Sequence, residues 1–267
     1  MRATRMVALT IASVIALASL GGSLLVPWDY RYQDREHVYT RPSRDHWLGT
    51  DALGRDRLAR LLQGTRVSLL LAPAAAGISI LMALAAGAGP GFIGGASEGV
   101  AKTVIDLVIS IPWLFSLLMV RAVLPLNMSP LFSVAITFLM LGMLGWGVPA
   151  HILLARSRQL RRSEFVLLAR ASGASAGRLF FVHVMPNLWP VLVAQFWIAV
   201  PVFILAEANL SLLGLGVSEP LPSLGSLLGE LESVLSIRSD ICNFAALFVL
   251  VLIVSSLQIA FVKHEVL

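Results

Sequence analysis

The sequence predicts an all-α, polytopic membrane protein with six transmembrane helices. Of its 267 residues, 57% are hydrophobic and only 13% are charged, and the mean hydropathy is +0.84. A soluble domain carries about 25% charged residues, because most of its surface faces water. A soluble fold of this length could not bury so much apolar surface, so the bilayer is the expected solvent.

Six apolar runs have the length, about 20 residues, with which a helix crosses the hydrocarbon core. They cover residues 6–26, 67–89, 103–124, 131–153, 188–209 and 241–262. The first follows Arg2 and Arg5, and a basic start of this kind also precedes cleaved signal peptides. Its apolar run is longer than that of a typical signal peptide, so we expect the first helix to be retained.

The polar connections predict how the chain is organised. Residues 1–62 would form the first transmembrane helix and an ordered extracytoplasmic loop, and residues 63–262 a five-helix transmembrane domain with a cytoplasmic loop at about 155–187. Lysine and arginine divide evenly between the two sides, but the positive-inside rule weighs short loops most heavily. The arginines between residues 156 and 162, together with Arg2 and Arg5, therefore favour cytoplasmic termini.

Several classes of site are not expected. The net charge is +5, but the basic residues lie between apolar runs, beside lipid headgroups, rather than on a soluble nucleic-acid-binding domain. The one cysteine, Cys242, and five scattered histidines give no metal-binding spacing. There is no phosphate-binding Gly-x-x-x-x-Gly-Lys-Ser/Thr loop and no catalytic constellation. We expect no enzymatic activity, metal or cofactor on this chain.

Residues 161–187 carry the signals of two short helices. Ser163 can cap the first, and Glu164 suits its positive end. Gly173 can take the left-handed conformation that ends a helix, Ser175 can cap the second helix, and Pro186 would stop it before the fifth span. The predicted product is a helical elbow, with an interfacial hairpin bound to anionic lipid as the alternative.

This segment resembles the cytoplasmic coupling loop, or EAA motif, of permease subunits from binding-protein-dependent ABC importers. The matching positions are Ala169, Ala171, Gly173, Ala174, Ser175 and the pair Pro186–Asn187. The resemblance implies that the short helix docks in a groove of an ATPase subunit. It implies a coupling site of Glu164, Leu167, Leu168, Ala169, Arg170, Ala171, Gly173, Ala174, Ser175 and Pro186.

The elbow departs from the family pattern at Leu167 and Leu168, where a glutamate and an alanine are usual. The missing carboxylate removes a charged contact to the ATPase. Apolar packing in a groove would still be available, so the strength of coupling stays open.

A second motif, residues 46–69, leads from the first loop into the second span. Thr50 and Asp51 can cap a helix, Gly49 and Gly54 permit tight turns, and Arg55, Asp56 and Arg57 can form paired charges. The stretch resembles the His-x-Leu-Gly-Thr-Asp-x-x-Gly-Arg-Asp signature of the permease branch that handles dipeptides, oligopeptides or nickel. Its residues here are His46, Gly49, Thr50, Asp51, Gly54, Arg55 and Asp56. Individual side chains could also serve only to order the loop.

Residues 205–225 carry a third resemblance to these permeases. Residues 205–216 are similar to the family pattern Ala-Glu-x-x-Leu-Ser-x-Leu-Gly-Leu-Gly, and residues 220–225 to Pro-x-Pro-Ser-Trp-Gly, with Leu224 in place of tryptophan. The tail after residue 262 lacks the family's usual elements.

Two acids and a row of glycines stand out within the apolar runs. Asp106 and Glu207 are candidates for a transport pathway, since a carboxylate at membrane depth must face protein or water. A helix-end contact near the cytoplasmic interface is the simpler interpretation of Asp106, and Glu207 is expected near the outer interface. Gly87, Gly91 and Gly95 have the spacing that lets helices approach closely, although Pro90 interrupts the row.

The resemblances imply a permease subunit of an ATP-driven importer in the bacterial inner membrane. Its expected partners are a sibling permease, two ATPase subunits that carry ATP and Mg²⁺, an extracytoplasmic solute-binding protein and membrane lipid. The substrate would be a peptide or another small solute such as nickel. The alternatives are an ion-gradient-driven transporter that uses Asp106 or Glu207 and, less favoured, a membrane enzyme.

Overall fold

A computed structural model describes residues 2–22, 26–123, 129–217, 219–235 and 241–261. In these ranges the regular secondary structure is helical, as predicted, and an isolated bridge joins Thr50 to Asp56. The helices are α1 (Arg2–Leu20), α2 (Arg57–Ala83), α3 (Gly89–Ile93), α4 (Gly95–Ser110), α5 (Trp113–Val123), α6 (Pro130–Leu144), α7 (Gly147–Arg161), α8 (Glu164–Ala171), α9 (Ala176–Arg178), α10 (Met185–Leu212), α11 (Leu224–Leu235) and α12 (Ala245–Phe261).

Two π-helical segments join neighbouring helices. Leu84–Ala88 connects α2 to α3, and Leu179–Val184 connects α9 to α10. Each segment precedes a proline by two residues, Pro90 and Pro186. A proline offers no N–H to the helical ladder, and a local π-helical turn is one adjustment that accommodates it.

Four helical stretches in the described ranges are long and apolar enough to cross a membrane: Ala3–Leu20, Arg57–Ile93, Pro130–Arg161 and Ala176–Leu212. They confirm the first, second, fourth and fifth predicted spans. The third predicted span corresponds to α4 and α5, which bend by 76°, and the sixth to α12, a shorter apolar helix of 17 residues. The full count of six spans stays a prediction.

The bend between α4 and α5 follows from Pro112. Ile111, directly before it, is extended (φ −86°, ψ 120°), because a proline disfavours the helical conformation in the preceding residue. Parts of three predicted spans, at residues 23–25, 124 and 262, and the tail after 262 lie outside the described residues.

Contacts divide the chain into two compact units. Unit 1 contains Met1–Pro73, Arg121–Phe138 and Val200–Leu267, and unit 2 contains Ala74–Val120 and Leu139–Ala199. The boundary predicted between residues 62 and 63 lies inside α2, and that domain division stays a prediction.

Glycines bring the helices of unit 2 close together. A Cβ at Gly87 would lie 2.3 Å from the carbonyl oxygen of Ala150, and one at Gly91 would lie 2.6 Å from that of Leu154. The hydroxyl of Ser157 donates to the Ala88 carbonyl at 2.7 Å. Two of the three predicted small residues therefore form a seam within this chain, between α7 and the stretch Leu84–Ile93.

The third predicted glycine lies outside the seam. Gly95 has a positive φ of 62°, and a Cβ there would meet nothing within 4 Å. Pro90 does not end the helix: the helix continues to Ile93 and stops at Gly94, whose φ is 80°.

In unit 1, α1 packs along α12. A buried arginine also connects three segments of this unit. Arg121, at the end of α5, donates to the carbonyl oxygens of Leu215 and Gly216 and to the Ser133 hydroxyl, each at 2.8 Å. An arginine in an otherwise apolar run is a signal that the sequence offered, since such a charge must find polar partners.

Candidate functional site

The elbow, residues 163–178, begins directly after α7. Ser163 is extended (φ −72°, ψ 148°) and occupies the position before α8, but its side chain makes no capping hydrogen bond. Its hydroxyl instead donates to the carbonyl of Leu160 at 2.6 Å. The predicted cap is therefore wrong: the hydroxyl closes the last turn of α7. Glu164 does occupy the first turn of α8.

The end of α8 agrees with the prediction. Gly173 has a φ of 84°, and its N–H donates to the Arg170 carbonyl at 3.0 Å. The next N–H, from Ala174, reaches back to the Ala169 carbonyl at 3.1 Å. This pair of bonds is the Schellman motif, which requires a left-handed residue at the position of Gly173.

The second helix of the elbow starts as predicted but does not end as predicted. The Ser175 hydroxyl accepts from the N–H of Arg178 at 3.4 Å. Pro186 does not stop the helix, because one helical stretch runs from Ala176 to Leu212. The π-helical segment before Pro186 supplies different hydrogen bonds, so the proline falls where a missing N–H is tolerated.

The side chains of α8 separate into a buried side and an exposed side. Val166 is fully buried and packs with the apolar core of unit 2, which Ala169 and Ala174 also contact. Leu167 is 49% exposed and Leu168 68% exposed. The other coupling-site residues of the sequence prediction are exposed as well: Glu164, Arg170, Ala171, Gly173, Ser175 and Pro186.

The signature loop, residues 46–56, is held by side-chain hydrogen bonds. The Thr50 hydroxyl accepts from the Thr40 N–H at 2.9 Å and donates to the His37 carbonyl at 2.5 Å. Gly49 and Gly54 have φ values of 73° and 74°, and a Cβ at Gly54 would lie 1.7 Å from the Asp34 carbonyl oxygen. Both predicted glycine turns are present.

The cap of α2 is not the predicted one. Asp51 accepts from the N–H groups of Leu53 and Arg55 at 2.8 and 2.9 Å, which makes a turn rather than a helix start. Asp56 occupies the cap position before Arg57, and its Oδ1 accepts from the Ala59 N–H at 2.7 Å. Its other oxygen lies 2.9 Å from Nδ1 of His46.

A network of ion pairs, which we call the charged cluster, contains the buried residues Asp51, Arg55 and Arg60 together with Glu219 and Glu230. Asp51 accepts from Nε of Arg55 at 2.7 Å and also pairs with Arg60. Arg55 pairs with Glu219, and Arg60 donates to Glu219 at 2.9 Å and to Glu230 at 2.5 Å. Arg55 thus pairs with Asp51 rather than Asp56.

The pKa values of Asp51 and Glu230 are shifted in opposite directions. Burial pushes the pKa of Asp51 upward, but the N–H of Arg55 and the charges of Arg60 and Arg55 outweigh it and hold that pKa below its usual value. Burial raises the pKa of Glu230 in spite of Arg60. The cluster borders a cavity of about 470 Å³ that Gln33, Tyr39 and Pro220 also line.

Sequence reasoning missed three members of the charged cluster. Arg60 lies one turn into α2, where a charge next to an apolar run could have been noticed. Glu219 and Glu230 carry no local signal, because their partners are more than 150 positions away in sequence.

The two acids of the apolar runs have different surroundings. Glu207 is fully buried and accepts hydrogen bonds from the hydroxyls of Ser211 at 2.8 Å and Ser223 at 2.6 Å. A Cβ at Gly225 would lie 2.9 Å from both of its oxygens, so Glu207 joins α10 to the start of α11. Asp106 is half-exposed and lies 3.9 Å from Nε2 of His151.

Within the described ranges no group of three or more His, Cys, Asp or Glu could hold a metal ion.

The chain is similar in sequence to known membrane transport proteins. Residues 67–264 match the family described as "Binding-protein-dependent transport system inner membrane component". The chain is 33% identical over 225 residues to an oligopeptide transport system permease protein, OppC, from Bacillus subtilis, covering 84% of this chain and 72% of the relative. It is 34% identical over 206 residues to the protein of the same name from Mycobacterium tuberculosis, covering 77% and 69%.

Proposed function

This chain belongs to the family of binding-protein-dependent transport system inner membrane components, and we propose that it forms half of a peptide path across the bacterial inner membrane. It is a multi-pass transport subunit rather than an enzyme. Peptide is the proposed substrate because the relatives from Bacillus subtilis and Mycobacterium tuberculosis are named oligopeptide permeases.

The observation that supports this function most directly is the exposed apolar surface of α8. Large apolar side chains on a short, protruding helix are costly in water unless another surface covers them. Leu167 and Leu168 point away from the core that holds Val166. We propose that this surface enters a groove of a separate ATPase subunit and transmits its movement to the membrane helices.

Leu167 determines the chemistry of that contact. Its side chain offers no acceptor, so the groove that receives it needs no matching cation and gains by excluding water. The exposed neighbours Glu164 and Arg170 would lie at the rim. We propose a docking contact with an apolar centre and a polar edge, the usual arrangement of protein interfaces.

The complete importer needs further subunits. We propose a sibling permease, two ATPase subunits that bind ATP and Mg²⁺, and an extracytoplasmic solute-binding protein that delivers the substrate. The arginines at residues 156–162 favour the cytoplasmic side for the elbow and for both termini. The signature loop and the charged cluster would then face the solute-binding protein.

Co-purification tests this proposal. The chain should purify with an ATPase, and hydrolysis by the reconstituted complex should rise when the binding protein and short peptides are added. Leu168→Asp should release the ATPase, because a carboxylate would have to be buried without a partner. Ala176→Asp, at an exposed position outside α8, is the matched control. A preparation that transports peptide under a proton gradient with no ATPase present would refute the proposal.

A further inference from the structure

Three charged side chains hold the base of the elbow, and we call them the clamp: Glu98, Arg158 and Arg161. Glu98 lies in the first turn of α4, and the arginines lie in the last turn of α7. One Glu98 oxygen is 3.4 Å from Nη1 of Arg158, and the other is 3.1 Å from Nη2 of Arg161. A single carboxylate therefore joins two guanidinium groups at the point where α7 gives way to α8.

The backbone next to the clamp leaves space for the guanidinium group of Arg161. A Cβ at Gly94 would lie 1.5 Å from Nη1 of Arg161, so the guanidinium occupies the space that a side chain at this position would take. The φ of Gly94 is 80°, which also favours glycine. Glu98 at a helix N-terminus and Arg161 at a helix C-terminus each complement the local helix dipole.

Two of the three clamp residues are shielded from water. Glu98 and Arg161 are each 17% exposed, so water screens this pair less than it screens a surface ion pair. Arg161 is separated from α8 by only two residues. Val166 is the one fully buried side chain of α8, so the clamp supplies a second point of attachment close to the start of the elbow.

We propose that Glu98 is a positioning residue for coupling: it holds the base of the elbow against α4, so that force received by α8 moves α4 as well as α7. This inference rests on the proposed function, in which α8 receives that force. Without the clamp the elbow would be held by its apolar contacts at Val166, Ala169 and Ala174, and ATP hydrolysis would move fewer membrane helices.

The first test measures the elbow alone. Spin labels at Thr103 and Ser172, both exposed, in a Cys242→Ser background of the full chain, report the distance between α4 and the elbow. Glu98→Gln should broaden the distance distribution, and Glu98→Asp, which keeps the carboxylate, should broaden it less. Arg162→Gln, which removes an exposed charge next to the clamp, is the control and should leave it unchanged.

The second test measures coupling in the reconstituted complex. Glu98→Gln should lower peptide transported per ATP hydrolysed by roughly two- to thirtyfold, the range of single-residue effects on coupling, while the ATPase stays bound. Glu98→Asp, which keeps the carboxylate, should retain more of the ratio than Glu98→Gln. A wild-type distance distribution or a wild-type transport ratio in Glu98→Gln overturns the positioning role. A wild-type complex that lacks ATPase activity contradicts the proposed function instead, and the distance measurement still tests the clamp.

Discussion

Replacing Arg60 by methionine should destabilise unit 1, because it removes the central cation of the charged cluster. Methionine keeps most of the length and the apolar stem of arginine, so the main loss is the charge. Arg60 is 1% exposed, and its partner Asp51 is 4% exposed. After the substitution Arg55 alone faces Asp51, Glu219 and Glu230.

The magnitude depends on how deeply each pair is buried. Removing one partner of a buried ion pair costs about 3–5 kcal/mol, and Asp51 falls in that class. Glu230 and Glu219 are 32% and 52% exposed, so each adds at most about 1 kcal/mol. Since Arg55 still pairs with Asp51, we expect a total near the lower end, about 3 kcal/mol, or a Tm roughly 6–12 °C lower.

Thermal unfolding in lipid nanodiscs, followed by tryptophan fluorescence, measures this effect. Arg66→Met, at an exposed position of the same helix, is the control and should change stability by no more than about 0.5 kcal/mol. Adding Asp51→Asn to Arg60→Met should recover part of the loss, because three carboxylates then share one arginine and the second substitution removes one of those charges. If the free energy of unfolding of Arg60→Met is within 1 kcal/mol of the wild-type value, roughly 2–4 °C in Tm, the cluster does not hold the loop to α2.

Three further predictions concern backbone geometry and pH. Gly173→Val should uncouple hydrolysis from transport in the reconstituted complex, because a β-branched residue is strained at its φ of 84°, whereas Gly177→Val, with no such φ, should keep the wild-type ratio. Gly87→Ala should lower stability in thermal melts by about 1–3 kcal/mol, because its Cβ would overlap a facing carbonyl oxygen; Gly89→Ala, which has open space, should not. The lowered pKa of Asp51 gives stability that is complete above its unfolded value of about 3.9 and is lost as pH falls through the folded value. Tm measured from pH 7 to pH 3 should therefore fall more steeply at the acid end in wild type than in Asp51→Asn, and parallel curves would contradict this assignment.

Local signals in the sequence predicted the parts of the site that depend on local geometry. Gly173 ends α8 through backbone bonds that span six residues, and Gly54 lies in a turn that its own N–H closes by donating to the Asp51 carbonyl at 3.1 Å. Such features follow from the conformational freedom of single residues. The apolar runs were equally clear, since the length of a span is set by the thickness of the bilayer.

Features that depend on distant partners could not be predicted in the same way. Asp51 and Asp56 are both good capping residues, and tertiary contacts decide between them: the arginines engage Asp51, and Asp56 is left to cap α2. The Ser163 hydroxyl could either cap α8 or donate to a carbonyl in the last turn of α7, and both partners lie within one turn of the chain. Pro186 was expected to break a helix, because a π-helical turn has no simple sequence signature.

The long sequence separation within the charged cluster has a consequence for biogenesis. Arg60 and Glu219 are 159 positions apart, so the ribosome releases Arg60 long before its outer acidic partners exist. Until then Arg60 has only Asp51 as a partner within the cluster, and the start of α2 inserts without its remaining ion pairs. Contacts of such high sequence separation form late in folding. Completion of the cluster therefore waits for the part of the chain from Glu219 onward, and a nascent or truncated chain that ends before Glu219 leaves Arg55 and Arg60 to share the one carboxylate of Asp51.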